Sequence, residues 1–132
     1  MDSVKDRTIK RFKKSVIALE KAVKLKKLPE LANRDSAILR FELAAELMYK
    51  TLKRVLSERG AAPALPKDIV RLALSAEMID EKLTSILLRI IDDRNRIVHD
   101  YSEKYAEALF NKIKGGYVRA LRELLDRLMR PQ

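Results

Sequence analysis

Between residues 38 and 55 the side chains Ile38, Phe41, Ala45, Met48, Leu52 and Val55 step alternately by three and four positions. A helix turning every 3.6 residues gathers all six on one stripe, whereas a strand would scatter them over both faces. Such a stripe has to be covered by other elements, and the rest of the chain offers helices. Gly occurs three times and Pro four times in 132 residues, and Ala, Leu, Ile, Lys, Arg and Glu dominate, a usage that favours helix almost throughout.

The first helix is expected from about Ser3 to Lys26, striped by Val4, Phe12, Val16, Leu19 and Val23 and stopped by Pro29. The segment LPELANRD reads as a loop, with Asn33, Asp35 or Ser36 capping the second helix, which ends at Gly60. Pro66 suits the first position of a short helix reaching about Met78, and Asp80 caps a fourth from about Glu81 to His99. Ser102 caps a last helix striped by Ala106, Phe110, Ile113, Tyr117, Leu121, Leu124 and Leu128. Gly115 and Gly116 fall inside that stripe, where a kink or local break is expected. These elements predict an all-α protein: an antiparallel up-and-down four-helix bundle with one additional short helix, a single domain over residues 1–132.

Several chemistries have no residues to support them. The chain has no cysteine and one histidine, so a zinc site would have to lean on carboxylates, and no metal is expected. No Gly-rich phosphate loop or nucleophile elbow appears, and no cofactor is expected. No apolar run approaches the roughly 20 residues of a membrane span, and the N-terminus MDSVKDRTIKRFKK has no apolar signal region. A soluble cytoplasmic protein without membrane partners is the expectation.

Of the net charge of +10, residues 1–27 carry +7. Lys10, Lys13 and Lys14 on the first helix have two readings, a solvated helix face or a footprint for RNA or an acidic protein. Arg96 is a further candidate for the same contact.

The fourth helix carries the anomaly. Its stripe of Leu83, Leu87 and Ile90, continued by four, lands on Arg94 before returning to Ile97 or Val98. A guanidinium in a core-facing slot needs an anion or a wet cleft, because unpaired burial costs several kcal/mol. His99, the only histidine, lies five residues on, about 140° around an ideal helix. Asn95 lies four residues before it and shares its face, where it could orient the imidazole or hold a substrate oxygen. An imidazole exchanges protons near neutral pH and a guanidinium offers a planar fork to phosphate oxygens. Together they suit RNA cleavage through the substrate's own 2′-OH, in which the protein moves protons and stabilises a negatively charged phosphorus centre. One histidine does not easily serve both proton transfers. A C2 dimer joining two fourth-helix ends would supply two. The plainer alternative is that His99 and Arg94 serve packing alone.

The run Arg94-Asn95-Arg96-Ile97-Val98-His99-Asp100-Tyr101 fits Arg-x-x-x-x-His-x-Tyr and resembles the signature of HEPN domains of the HepT type, toxin partners of minimal nucleotidyltransferase (MNT) antitoxins. RFELAAELMYKTLKRVLSERG is similar to that family's second helix and ALFNKIKGGYVRALRELLDRL to its last. The resemblance spans roughly residues 36 to 129. It implies a helical bundle that dimerises through the motif helices and acts as a metal-independent endoribonuclease in the dimer cleft. Arg94 and His99 match the catalytic pair, Asn95 the polar position after the motif arginine, and Tyr101 the tyrosine that the cognate nucleotidyltransferase can modify with AMP. The alternative it leaves open is a non-catalytic nucleotide- or substrate-binding subunit of a nucleotidyltransferase.

Overall fold

The computed structural model describes residues 3–25 and 30–130. Among them every regular element is helical: α1 Val4–Lys24, α2 Glu30–Glu58, α3 Pro66–Ser75, α4 Glu81–His99, α5 Glu103–Lys112 and α6 Val118–Met129. A π-helical turn, Ile113–Tyr117, joins the last two into one continuous rod. Helix α1 lies along α2, α3 bridges α2 and α4, α5 packs on α2, and α6 closes on α1 and α4. This is the expected bundle with one short extra helix.

The local signals act as their chemistry requires. Ser3 caps α1 in a capping box with Asp6. Helix α2 ends in a Schellman motif: Gly60 takes a φ of 87°, its N–H donates to Ser57, and the Ala61 N–H donates to Leu56. Asp80 caps α4 by accepting from the Leu83 N–H at 2.8 Å, and Ser102 caps α5 through Tyr105. The stripe of α2 is the centre of the core, with Ile38, Phe41, Met48 and Leu52 fully buried against Phe12, Val16 and Leu19 of α1.

Four expectations need correction. Val4 is exposed, because α1 begins there and only from Ile9 onward does it lie against the bundle. Helix α2 starts at Glu30 and not after a loop at 28–35, so Asn33, Asp35 and Ser36 are helical and cap nothing. The extra turns are fixed by Arg34, whose buried guanidinium pairs with Asp35, Glu103 at 2.9 Å and Glu107 at 3.5 Å. Helix α3 stops at Ser75, where Glu77 turns into the left-handed region at φ 60° and the Met78 N–H closes back on Ala73. At Gly115-Gly116 the last helix widens without breaking. Ile113, Tyr117 and Leu121 are all buried, yet two successive four-residue steps overshoot two α-helical turns by about 80°. A wider π turn absorbs that excess. The expected stop at Pro29 and the end of the first helix at Lys26 fall outside the described residues.

Candidate active site

The charged residue that α4 turns into the core is Asp93, and Arg94 is only partly buried. The stripe steps by three from Ile90 to Asp93 and by four to the buried Ile97. Burial of this carboxylate is matched by donors. It accepts from the Tyr105 hydroxyl at 2.6 Å and the Tyr117 hydroxyl at 2.5 Å, and Lys112 lies 3.4 Å away. Burial first, and these bonds to Asp93 second, push both tyrosines well above the ordinary phenol range. Stripe spacing alone does not mark either tyrosine as a partner for an acid. The signal in the sequence is an acid, Asp93, within reach of the stripe of the fourth helix and two tyrosines, Tyr105 and Tyr117, at or beside the stripe of the last helix.

With Asp93 facing inward, Arg94 turns one residue round towards α2. Its guanidinium lies 3.8 Å from Glu46 and donates to the Asn95 side chain at 3.3 Å. Glu42 stands close enough to feel its charge, although burial dominates and raises that carboxyl above the ordinary range. Asp92, the acid two positions before it in sequence, pairs with Lys67 of α3. Arg94 is thus held by one long ion pair and one weak bond, and its fork remains open to an incoming anion.

His99 is the last residue of α4 and is exposed, with no hydrogen bond or ion pair among the described residues. Asn95 is also exposed but bonds to Arg94, so the structure does not use it to orient the imidazole. Tyr101 leaves the helix end and is 47% exposed. Its hydroxyl donates to Asp35, near the start of α2, at 2.9 Å. Burial and that carboxylate push the phenol up to about 12. Arg96 is engaged locally, with Asp100 at 3.4 Å and over the Tyr105 ring at 4.0 Å. Lys10 and Lys14 are exposed and Lys13 half-buried on α1.

The fold thus brings Arg94, Asn95, His99 and Tyr101 to one helix end, beside residues 35–46 of α2. Leu39, Leu43 and Val98 stand exposed on those same two segments. A cleft of about 290 Å³ borders the motif at Arg96, Ser102 and Tyr105, and two larger open clefts lie elsewhere: one of about 700 Å³ between Ile9, Val55 and Leu128, and one of about 450 Å³ over Gly115 and Gly116. None of these is lined by the four residues above. Among the described residues no three His, Asp or Glu side chains converge as metal ligands, and no helix is long and apolar enough to cross a membrane.

The fold is shared with solved structures. A Thermus thermophilus protein of known crystal structure superposes with a TM-score of 0.81 at 32% identity, over 90% of this chain and 99% of its own. A tri-AMPylated Shewanella oneidensis HEPN toxin, solved in complex with an MNT antitoxin, gives 0.80 at 17% identity, covering 97% of this chain and 98% of the toxin. A toxin–antitoxin structure with AMP-PNP gives 0.79 at 16%, covering 97% and 99%. No curated protein is significantly similar in sequence. The family model described as nucleotidyltransferase substrate binding protein like matches residues 7–130, so the chain belongs to that family, and its fold is that of the HepT-type HEPN toxins its fourth helix resembles.

Proposed function

We propose that this protein is a metal-independent endoribonuclease toxin of a HEPN/MNT pair, acting in the cytoplasm as a homodimer. The observation that carries the reading is that the fold makes little use of Arg94 and none of the His99 imidazole. The core acid Asp93 is neutralised by two tyrosines and Lys112, the core guanidinium Arg34 by three carboxylates, and the motif pair is left at the surface and loosely held. Groups that contribute little to packing, in a fold shared with HEPN toxins, are best explained by chemistry.

In this mechanism His99 takes the proton from the RNA 2′-OH, the oxygen attacks the adjacent phosphorus, and Arg94 stabilises the pentacoordinate anion. The 5′-oxygen leaves with a proton from the second protomer's histidine, and a 2′,3′-cyclic phosphate remains. Asn95 steadies the Arg94 fork. The exposed Leu39, Leu43 and Val98 give a second copy an apolar surface beside the motif. Lys13 and Lys14 extend the positive surface for RNA. A cognate MNT nucleotidyltransferase silences the toxin by transferring AMP to Tyr101, as AMPylation of the Shewanella toxin suggests by likeness. A phosphate placed two residues from His99 would obstruct the site and occupy Arg94.

The test is cleavage of RNA by the purified protein in EDTA, with cyclic phosphate ends, and its loss on His99→Ala. Equal cleavage by the variant would sink the assignment. The family description supports a second reading, a non-catalytic subunit that presents substrate to a nucleotidyltransferase. Growth arrest on expression without the partner, relieved by Arg94→Ala, separates the two.

A further inference from the structure

Tyr101 is not loosely placed. Its hydroxyl donates to Asp35 Oδ1 at 2.9 Å, and the same oxygen accepts from Arg34 Nε at 3.1 Å. Arg34 is 3% exposed and is fixed in turn by Glu103 and Glu107 of α5. The charged groups facing the phenol are therefore Asp35, Arg34 and Glu42 from α2, with the two α5 glutamates behind the guanidinium. Of these only Asp35 bonds the hydroxyl. Asp35 is half exposed and Tyr101 is 47% exposed, so this pair lies at the protein surface.

We propose that Asp35 is the proton acceptor when Tyr101 is nucleotidylated, an inference that rests on the reading of Tyr101 as the modified residue. The Tyr101 oxygen attacks the α-phosphorus of a nucleoside triphosphate held by the partner nucleotidyltransferase. As the new O–P bond forms, the hydroxyl proton passes to the Asp35 carboxylate. The bond from the α-phosphorus to the bridging oxygen breaks, pyrophosphate leaves with its electron pair, and Asp35 returns the proton to water. The phenol is held in its protonated form by burial and by the carboxylate, so it does not ionise ahead of attack at neutral pH. The proton has to leave during the transfer, to a positioned base. Carboxylates play this part for hydroxyl acceptors in phosphoryl transfer. Arg34 keeps the carboxylate in place, which is a positioning role.

The experiment follows AMP incorporation from radiolabelled ATP by the full chain with its cognate nucleotidyltransferase, from about pH 6 to 9. The variants are Asp35→Asn, Asp35→Glu, Arg34→Lys and Tyr101→Phe, each checked for thermal unfolding. The unaltered protein should show a nearly flat profile and Tyr101→Phe no label. Asp35→Asn should label about 10²-fold more slowly at pH 7 and accelerate about tenfold per pH unit, as phenolate becomes the only route. Asp35→Glu should recover part of the rate with a flat profile, and Arg34→Lys should slow labelling without tilting it. Asp35→Asn labelling at the original rate, or slowly with an unchanged profile, would reduce Asp35 to a tether and overturn the proposal alone. No label on the unaltered protein, or label persisting on Tyr101→Phe, would overturn the modification reading and the proposal with it.

Discussion

The Tyr117 hydroxyl donates to the Asp93 carboxylate at 2.5 Å, joining the π turn of the last helix to the interior face of α4. Asp93→Ala removes the acceptor of two buried hydroxyls and should cost about 2–4 kcal/mol in urea denaturation. Asp93→Asn keeps one acceptor oxygen and should cost about half as much. An unchanged midpoint in both would mean that water replaces the carboxylate.

The same cluster should contribute to the loss of stability at alkaline pH. Tyr105 and Tyr117 release their protons at the ordinary value of 10.0 in the unfolded chain and well above it when folded. Their contribution is complete below pH 10 and is lost as pH rises towards the folded values, because only the unfolded chain gains by ionising there. Melting temperature should fall more steeply with pH above 10 than in Tyr117→Phe. Equal slopes would show that the phenols titrate alike in both states.

His99→Ala and Arg94→Lys separate chemistry from stability. Both side chains lie outside the core, so unfolding free energies should move by no more than about 0.5 kcal/mol. RNA cleavage should fall about 10²–10⁴-fold for His99→Ala. Lysine should fail to restore the arginine function, since an ammonium lacks the planar fork. Full activity in Arg94→Lys would demote Arg94 to a general positive charge.

The glycines should respond with opposite signs. At Gly115 and Gly116 an added Cβ meets nothing within 4 Å and φ is not left-handed. Each Gly→Ala there should stabilise by about 0.5–1 kcal/mol in thermal melts. Gly60→Ala forces a side chain into φ 87° and should destabilise by about 1–2 kcal/mol. A loss at both 115 and 116 would point to a need for bare backbone in the π turn.

The sequence carries local signals more fully than long-range ones. Asp80, Ser102 and Gly60 mark helix ends because capping involves neighbours within a few residues. The start of α2 was not legible because Arg34 is neutralised by Glu103 and Glu107, about seventy positions away. The motif residues do lie together at one helix end, but the spacing assigns the inward charge to Arg94 instead of Asp93. A stripe at Ile90 continues equally well by three or four, and only the phenols of Tyr105 and Tyr117 decide between them. The bond from Tyr101 to Asp35 spans a similar gap and left no trace in local spacing.

The π turn at Ile113–Tyr117 also marks a place where the last helix absorbs a change in chain length. A π turn holds one more residue than the α-helical turn it replaces, so it behaves as an insertion accommodated within a helix. Deleting Gly115 or Gly116 would restore ordinary winding, and the seven α-helical steps then left between Ile113 and Leu121 fall within about 20° of two full turns. Leu121, Leu124 and Leu125 would therefore keep the face they turn to α1 and α4. Either glycine can be replaced, and one of the two can be dropped.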